Sequence, residues 1–242
     1  MWINLVFFAA FWRTFHFFFL FCGKLPYFAH ISTINYFMDI SQAEFDLIFE
    51  KDPIIKAVIA SCETFKVTTW GEDVYLALVD CIISQQISVK VANVIFARYC
   101  QLFPDEYPSP EKVLQKSDEE LRSAGLSSQK IGYLRNLATF HLEQNLNYTQ
   151  LQTLSDEEVI QFITQVKGIG RWTVEMLLMF SLHRPNVFPI DDLAIRQRIV
   201  KAYQLTEEGK ALKQKMIEIG KNWEPFRTYI CMYLWRWKGF VI

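Results

Sequence analysis

Residues 162–198 read FITQVKGIGRWTVEMLLMFSLHRPNVFPIDDLAIRQR, and at the core of this stretch Val166-Lys167-Gly168-Ile169-Gly170 separates two apolar-periodic segments. Two glycines one residue apart let a helix end, turn sharply and restart, and neither carries a Cβ to block another backbone. A helix restarting near Gly170 leaves its first amides pointing outward, where they and the helix dipole hold a phosphate oxygen. Lys167 and Arg171 flank that point with positive charge. Residues 163–201 hold six basic and three acidic side chains, a local excess of three in a chain of formal net charge −1. Such a corner suits docking on a phosphate backbone without sequence readout. Alone, G-x-G is equally a plain helix corner with a glycine cap.

An acidic pair downstream of the glycines carries more information. Asp191-Asp192 comes about twenty residues later, after the turn-prone Pro185-Asn186 and Pro189. One aspartate of the pair is expected to cap a helix starting at Leu193. The other is then a carboxylate at the mouth of a groove beside a phosphate-binding corner. Two adjacent acids disfavour binding of an anionic polymer, but they suit a site where positive charge develops. Cleavage of an N-glycosidic bond creates such a charge on an oxocarbenium-like sugar, which a fixed carboxylate stabilises while it orients or deprotonates water.

Upstream, the chain reads as capped helices. Leu78, Val79, Ile82 and Ile83 recur at helical spacing and are followed by the polar break Ser84-Gln85-Gln86. Ser88 caps a second helix with the stripe Ala92, Ile95, Phe96, Tyr99 and Phe103. Pro104, Pro108 and Pro110 mark a loop. Ser117 with Glu120, and Ser155 with Glu158, form capping boxes. Gly125 ends one helix and Ser127 caps the next, with Ile131, Leu134, Ala138 and His141 on one side. The helix from Ser155 is expected to run through Val166. Thr206 is read as starting another, and Pro225 as lying in the first turn of the last. No alternating strand, repeat or long linker is present, so the expected class is all-α.

Composition agrees: 242 residues, 51% hydrophobic, with only nine glycines and eight prolines. That excludes a disordered chain, and the net charge excludes a uniformly basic nucleic-acid wrapper. The five cysteines, Cys22, Cys62, Cys81, Cys100 and Cys231, form no C-x-x-C pair and read as core thiols in a reduced protein. Residues 1–37 stand apart, holding ten of the 21 phenylalanines and no acid. Residues 1–22 are long enough to span a bilayer, although Arg13 at mid-span costs roughly 2.5–3.5 kcal/mol. This leader reads as an extension from a start placed too early, with a membrane segment as the other reading. Met38 opens an ordinary sequence in which Ser41, with Glu44 three residues on, is a plausible cap.

Val166–Trp172 and the later Val187-Phe188-Pro189-Ile190-Asp191-Asp192-Leu193 together resemble the helix–hairpin–helix and Gly/Pro/Asp signature of the DNA glycosylase superfamily. Within it, the chain is similar to the 3-methyladenine DNA glycosylase II group. Ile82–Ser88, Gly125-Leu126-Ser127 with Lys130, and Trp223–Arg227 running into Tyr233–Arg236 agree in order, so the resemblance covers roughly residues 72–237.

The resemblance implies a two-lobed helical fold with the cleft between lobes, without an N-terminal β domain. It places the helical domain at 38–242 and the helix–hairpin–helix at about 156–182. Asp192 falls on the family's catalytic aspartate, with Asp191 its structural neighbour. Trp172 stands where bifunctional members carry a lysine, which implies a monofunctional enzyme releasing alkylated purines from double-stranded DNA in base excision repair. The other readings are a bifunctional oxidised-base glycosylase/lyase and a non-catalytic DNA-binding module that keeps the hairpin. Trp172 and Trp235 match the pocket aromatics, with Tyr133 a further candidate, and each cation–π contact is worth about 0.5–2 kcal/mol. Trp237 is read as core. Lys167, Gly168, Gly170 and Arg171 are the expected DNA contacts. The target base must leave the stack, and Gln86 or Ile87, with Gln85 beside them, is the wedge that fills the gap. The backbone carbonyls of Thr164, Val166 and Ile169 match a site for Na+ or K+, and no other cofactor is implied. The family further implies a monomer in the bacterial cytoplasm, at the nucleoid, and a membrane partner only with the leader.

Overall fold

The computed structural model describes residues 42–63, 67 and 69–238. The leader, Cys22 and the expected cap Ser41 lie outside them. Among the described residues every regular element is helical, and no helix is long and apolar enough to cross a membrane.

In chain order, α1 (Gln42–Lys51) and α2 (Pro53–Ala60) are followed by α3 (Val74–Ser84) and α4 (Val89–Cys100). A 3₁₀ turn at Pro104–Glu106 leads to α5 (Pro110–Gln115), α6 (Asp118–Ser123), α7 (Ser128–Gln144) and α8 (Tyr148–Gln152). Then come α9 (Asp156–Ile163), α10 (Arg171–Phe180), α11 (Leu193–Tyr203), α12 (Gly209–Lys221) and α13 (Arg227–Arg236).

The caps explain most boundaries. Ser88, Ser117, Ser127 and Ser155 each accept the backbone N–H three residues on, and both expected capping boxes are closed by Glu120 and Glu158. Four boundaries differ from the sequence reading. Pro110 opens α5 rather than continuing a loop, because proline at the first helical position forfeits an N–H that has no helical partner anyway. The helix from Ser155 stops at Ile163, where Thr164 takes over as the terminal residue and its hydroxyl donates to the Ile160 carbonyl at 2.6 Å. α12 starts at Gly209 rather than Thr206, whose backbone N–H is taken by the Glu207 side chain at 3.1 Å. Pro225 precedes α13, whose N-cap is Phe226.

The chain divides into two compact units. The first contains the described residues of Thr68–Leu182. There α7 packs against α3 and α5, and α10 packs against α3 and α9. Every residue of α10 from Thr173 to Phe180 is buried, so this helix is core on all sides. The second unit joins the described residues of Thr33–Val67 to those of His183–Ile242. Here α13 packs on α2 and α11 around Ile55, Val58, Ile195, Ile199, Ile230 and Leu234.

A buried acid organises this second core. Asp52 is 3% exposed, and its Oδ1 caps α2 by accepting the Ile55 N–H at 3.1 Å. Its Oδ2 accepts the Trp223 indole N–H at 2.9 Å and the Tyr203 hydroxyl. Burial and this carboxylate push the Tyr203 hydroxyl pKa well up, so it remains a donor. Asp52→Ala removes the cap and strands two buried donors, and is expected to cost about 3 kcal/mol in urea unfolding. Tyr203→Phe should cost about 1 kcal/mol, and the two losses should fall short of additive in the double variant.

Candidate active site

In the first unit the sequence-predicted corner forms. α9 ends at Ile163, a turn carries Val166–Gly170, and Gly170 is the N-cap of α10. The two glycines have different reasons. Gly168 adopts φ +106°, and a Cβ there would lie 2.2 Å from the ring of Tyr133. Gly170 has an ordinary φ of −96°, and a Cβ there would meet open space. The fold therefore requires only the first. Tyr133, expected as a pocket wall, lies under the hairpin, with its hydroxyl 2.6 Å from Gln129 Nε2.

Arg171 makes ion pairs within the protein. Its guanidinium forks onto Glu157, with Nη1 and Nη2 at 3.1 and 2.9 Å, and its Nε reaches Glu175 at 3.1 Å. Those acids raise the arginine's pKa, and the arginine lowers that of Glu157. The planar fork fits a carboxylate as well as it fits a phosphate, and the acid-rich first turn of α9 supplies that carboxylate. Arg171 thus ties α10 to α9 instead of standing as a bare cation. Lys167, on the turn itself, is exposed. Trp172 is half-buried in the first turn of α10.

The Ser84-Gln85-Gln86-Ile87-Ser88 segment is fixed against the same corner. Gln85 Nε2 donates to the Gly168 carbonyl at 2.9 Å. Gln86 sits at φ +60°, reversing the chain, and is exposed, whereas Gln85 and Ile87 are half-buried. Lys130 Nζ donates to the Ile83 carbonyl at 2.6 Å, satisfying an orphan acceptor at the end of α3, and its burial lowers its pKa.

In the second unit the approach to Asp192 is pinned at several points. Arg227 Nε reaches the Asn186 carbonyl and Oδ1 at 3.1 and 2.8 Å. Thr228 Oγ1 accepts the Val187 N–H at 2.9 Å and donates to the Arg184 carbonyl at 2.6 Å. The Phe188 ring lies edge-on to Trp223 at 5.4 Å, and a Cβ on Gly220 would come within 2.7 Å of it.

Asp192 is 8% exposed. Its Oδ1 accepts the Ile195 N–H at 2.8 Å, capping α11, and the Trp235 indole N–H at 3.1 Å. The expected division of labour between the two aspartates is therefore corrected. One oxygen serves as cap, and the same residue is the buried carboxylate. Asp191 lies outside, paired through both oxygens with Lys213 at 2.7 and 2.9 Å. Trp235 is 5% exposed and holds the carboxylate through its indole N–H. Trp237 is buried, as expected.

Comparison with known proteins bears on this arrangement. The pattern of the HhH-GPD superfamily base excision DNA repair proteins matches residues 79–225. The chain belongs to that superfamily. DNA-3-methyladenine glycosylase 1 of Schizosaccharomyces pombe is 37% identical over 164 residues, covering 67% of this chain and 71% of the relative. The putative DNA-3-methyladenine glycosylase YfjP of Bacillus subtilis is 32% identical over 169 residues, covering 67% of this chain and 58% of the relative's length. The structure of the S. pombe 3-methyladenine DNA glycosylase Mag1 in complex with abasic DNA aligns with a TM-score of 0.70 and 33% identity, over 84% of this chain and 100% of that one.

In this HhH-GPD protein the supports of Asp192, namely Trp223, Phe188 against Gly220, and Thr228, escaped the sequence reading. Their only signal was the Trp223-Glu224-Pro225-Phe226-Arg227 motif, which does not by itself say what its residues touch. Gly168→Ala is expected to displace Tyr133 or the hairpin and to weaken binding to duplex DNA by about tenfold or more, measured by anisotropy. Gly168→Ala combined with Tyr133→Ala should remain weak, since the positive φ persists.

Proposed function

We propose that this chain is a monofunctional DNA glycosylase that hydrolyses the N-glycosidic bond of alkylated purines such as 3-methyladenine and 7-methylguanine in duplex DNA, acting as a monomer. The observation that carries this reading is the Asp192 carboxylate. It is buried and fixed by two N–H donors, and it stands at the positive end of the α11 dipole.

A purine alkylated on a ring nitrogen is cationic. As the bond from the anomeric carbon to the base breaks, its electron pair goes to the base, which leaves neutral, and the sugar becomes an oxocarbenium ion. Asp192 offers a fixed negative charge to that ion and accepts the proton of the water whose oxygen forms the new bond. With tryptophan at 172, the family position of the attacking lysine carries no amine, so no Schiff base forms there and the strand stays intact. The Trp172 ring offers a π-face to the cationic base.

The hairpin supplies the grip on the strand. Gly170 faces open space where a phosphate comes against the α10 amides, and Lys167 adds a charge beside it. The Thr164, Val166 and Ile169 carbonyls suit a monovalent ion, Na+ or K+, because they are neutral donors. The Val166 carbonyl accepts the Ile169 N–H at 3.0 Å and keeps a second lone pair. Such an ion would add positive charge at the phosphate. Gln86, exposed on its reversed backbone, is the wedge.

The test is incubation of the full chain with methylated duplex DNA, with released bases identified by chromatography. Free 3-methyladenine or 7-methylguanine and an intact abasic strand are expected. Asp192→Asn should lose roughly 100- to 1,000-fold in release while still binding abasic duplex. Unchanged release by that variant, or covalent trapping of the wild-type protein by borohydride, overturns the assignment.

A further inference from the structure

We propose that Gln85 is a positioning residue that couples the wedge to the hairpin, so that seating the hairpin on the strand and extruding the base are one event. This rests on the glycosylase reading and on Gln86 as the wedge. Three independent features meet at one place. The Gln85 side-chain amide donates to the carbonyl of Gly168, the residue whose φ of +106° makes the hairpin turn. The Tyr133 ring fills the space a side chain at 168 would need, so the turn is held from beneath. Lys130, three residues before Tyr133 on α7 and on the same helix face, holds the Ile83 carbonyl just before the wedge segment.

The first two turns of α7 thus brace the hairpin through Tyr133 and the end of α3 through Lys130. Gln85 closes the third side by bonding hairpin to segment directly. Gln85 is itself the C-terminal cap residue of α3, at φ −55° and ψ 130°, and Gln86 comes next at φ +60°. Three successive non-helical residues, Gln85, Gln86 and Ile87, separate α3 from the Ser88 cap of α4, so no helical ladder fixes the direction of the Gln86 backbone. A side chain that must enter a base stack loses effect when its backbone swings, since an error of about 1 Å costs on the order of 100-fold in rate. The Gln85 amide is the contact that refers this backbone to the phosphate-gripping turn.

The experiment uses the full chain and the variants Gln85→Leu, Lys130→Met, Gln86→Ala and Gln85→Leu/Gln86→Ala, each checked by thermal melting. Binding is read by anisotropy on a tetrahydrofuran abasic duplex. Extrusion is read by fluorescence of 2-aminopurine beside the abasic position, and excision by single-turnover release from methylated DNA. Gln85→Leu and Lys130→Met should bind within about threefold of wild type yet lose the fluorescence change, and release base about 10- to 100-fold more slowly. The double variant should be no slower than Gln86→Ala alone, because Gln85 acts through the wedge. Wild-type fluorescence and release in Gln85→Leu overturn the proposal, as does additivity in the double variant. Loss of binding equal to the loss of release also overturns it, by making Gln85 a support of the hairpin alone. Failure of the wild-type protein to release any methylated purine overturns the glycosylase reading instead, while fluorescence on the abasic duplex still reports the coupling.

Discussion

The Asp192 carboxylate combines a structural and a chemical demand that pull in different directions. A helix N-cap needs an acceptor oxygen close to the chain, and a reactive carboxylate needs a fixed orientation and a surrounding low in water. The protein satisfies both by directing the Ile195 amide and the Trp235 indole N–H to the same oxygen, Oδ1. Two donors at one oxygen define the plane of the group. The rest of the second unit exists in large part to hold that plane. Thr228 and Arg227 bind the chain before it, Phe188 wedges between Gly220 and Trp223, and Trp223 is anchored in turn by Asp52.

That anchoring chain reverses the usual relation between charge and burial. Among the described residues of this unit two aspartates are buried, Asp52 and Asp192, and each caps a helix while accepting an indole N–H. A buried carboxylate without donors carries a desolvation cost of several kcal/mol, and cap amides plus indole donors offset it without introducing a cation. Asp191, by contrast, is exposed and paired with Lys213. Neighbours in sequence, the two acids differ in environment: one is held in the interior by N–H donors while the other is screened at the surface.

The helices were legible because their boundaries are written in short-range chemistry. Ser117 with Glu120 and Ser155 with Glu158 specify their caps within four residues, and the structure closes both boxes. The family signature located the hairpin and Asp192 for a similar reason, since both are contiguous motifs. Long-range partners were not legible. The pairing of Arg171 was hidden because nothing in the local sequence says that Glu157, fourteen residues back, will meet it. The packing of Tyr133 against the bare Cα of Gly168 was hidden for the same reason. A glycine advertises no contact in sequence, yet here its missing side chain decides which ring packs beneath the hairpin.

The pairing of Arg171 also bears on how the hairpin would hold a strand under the proposed function. With that guanidinium committed to Glu157 and Glu175, the turn presents Lys167 and backbone amides rather than a cluster of cations. Amide donors are fixed by the backbone and release no counterion when they bind, whereas each lysine–phosphate contact contributes to the salt dependence of affinity. Under the proposed function, grip at this corner would therefore depend more on geometry than on net charge, in a chain whose overall charge is −1. It also explains why so much packing converges on one turn. A phosphate held by directed amides is held only as well as the turn is shaped, and Gly168, Tyr133 and Gln85 are the residues that shape it.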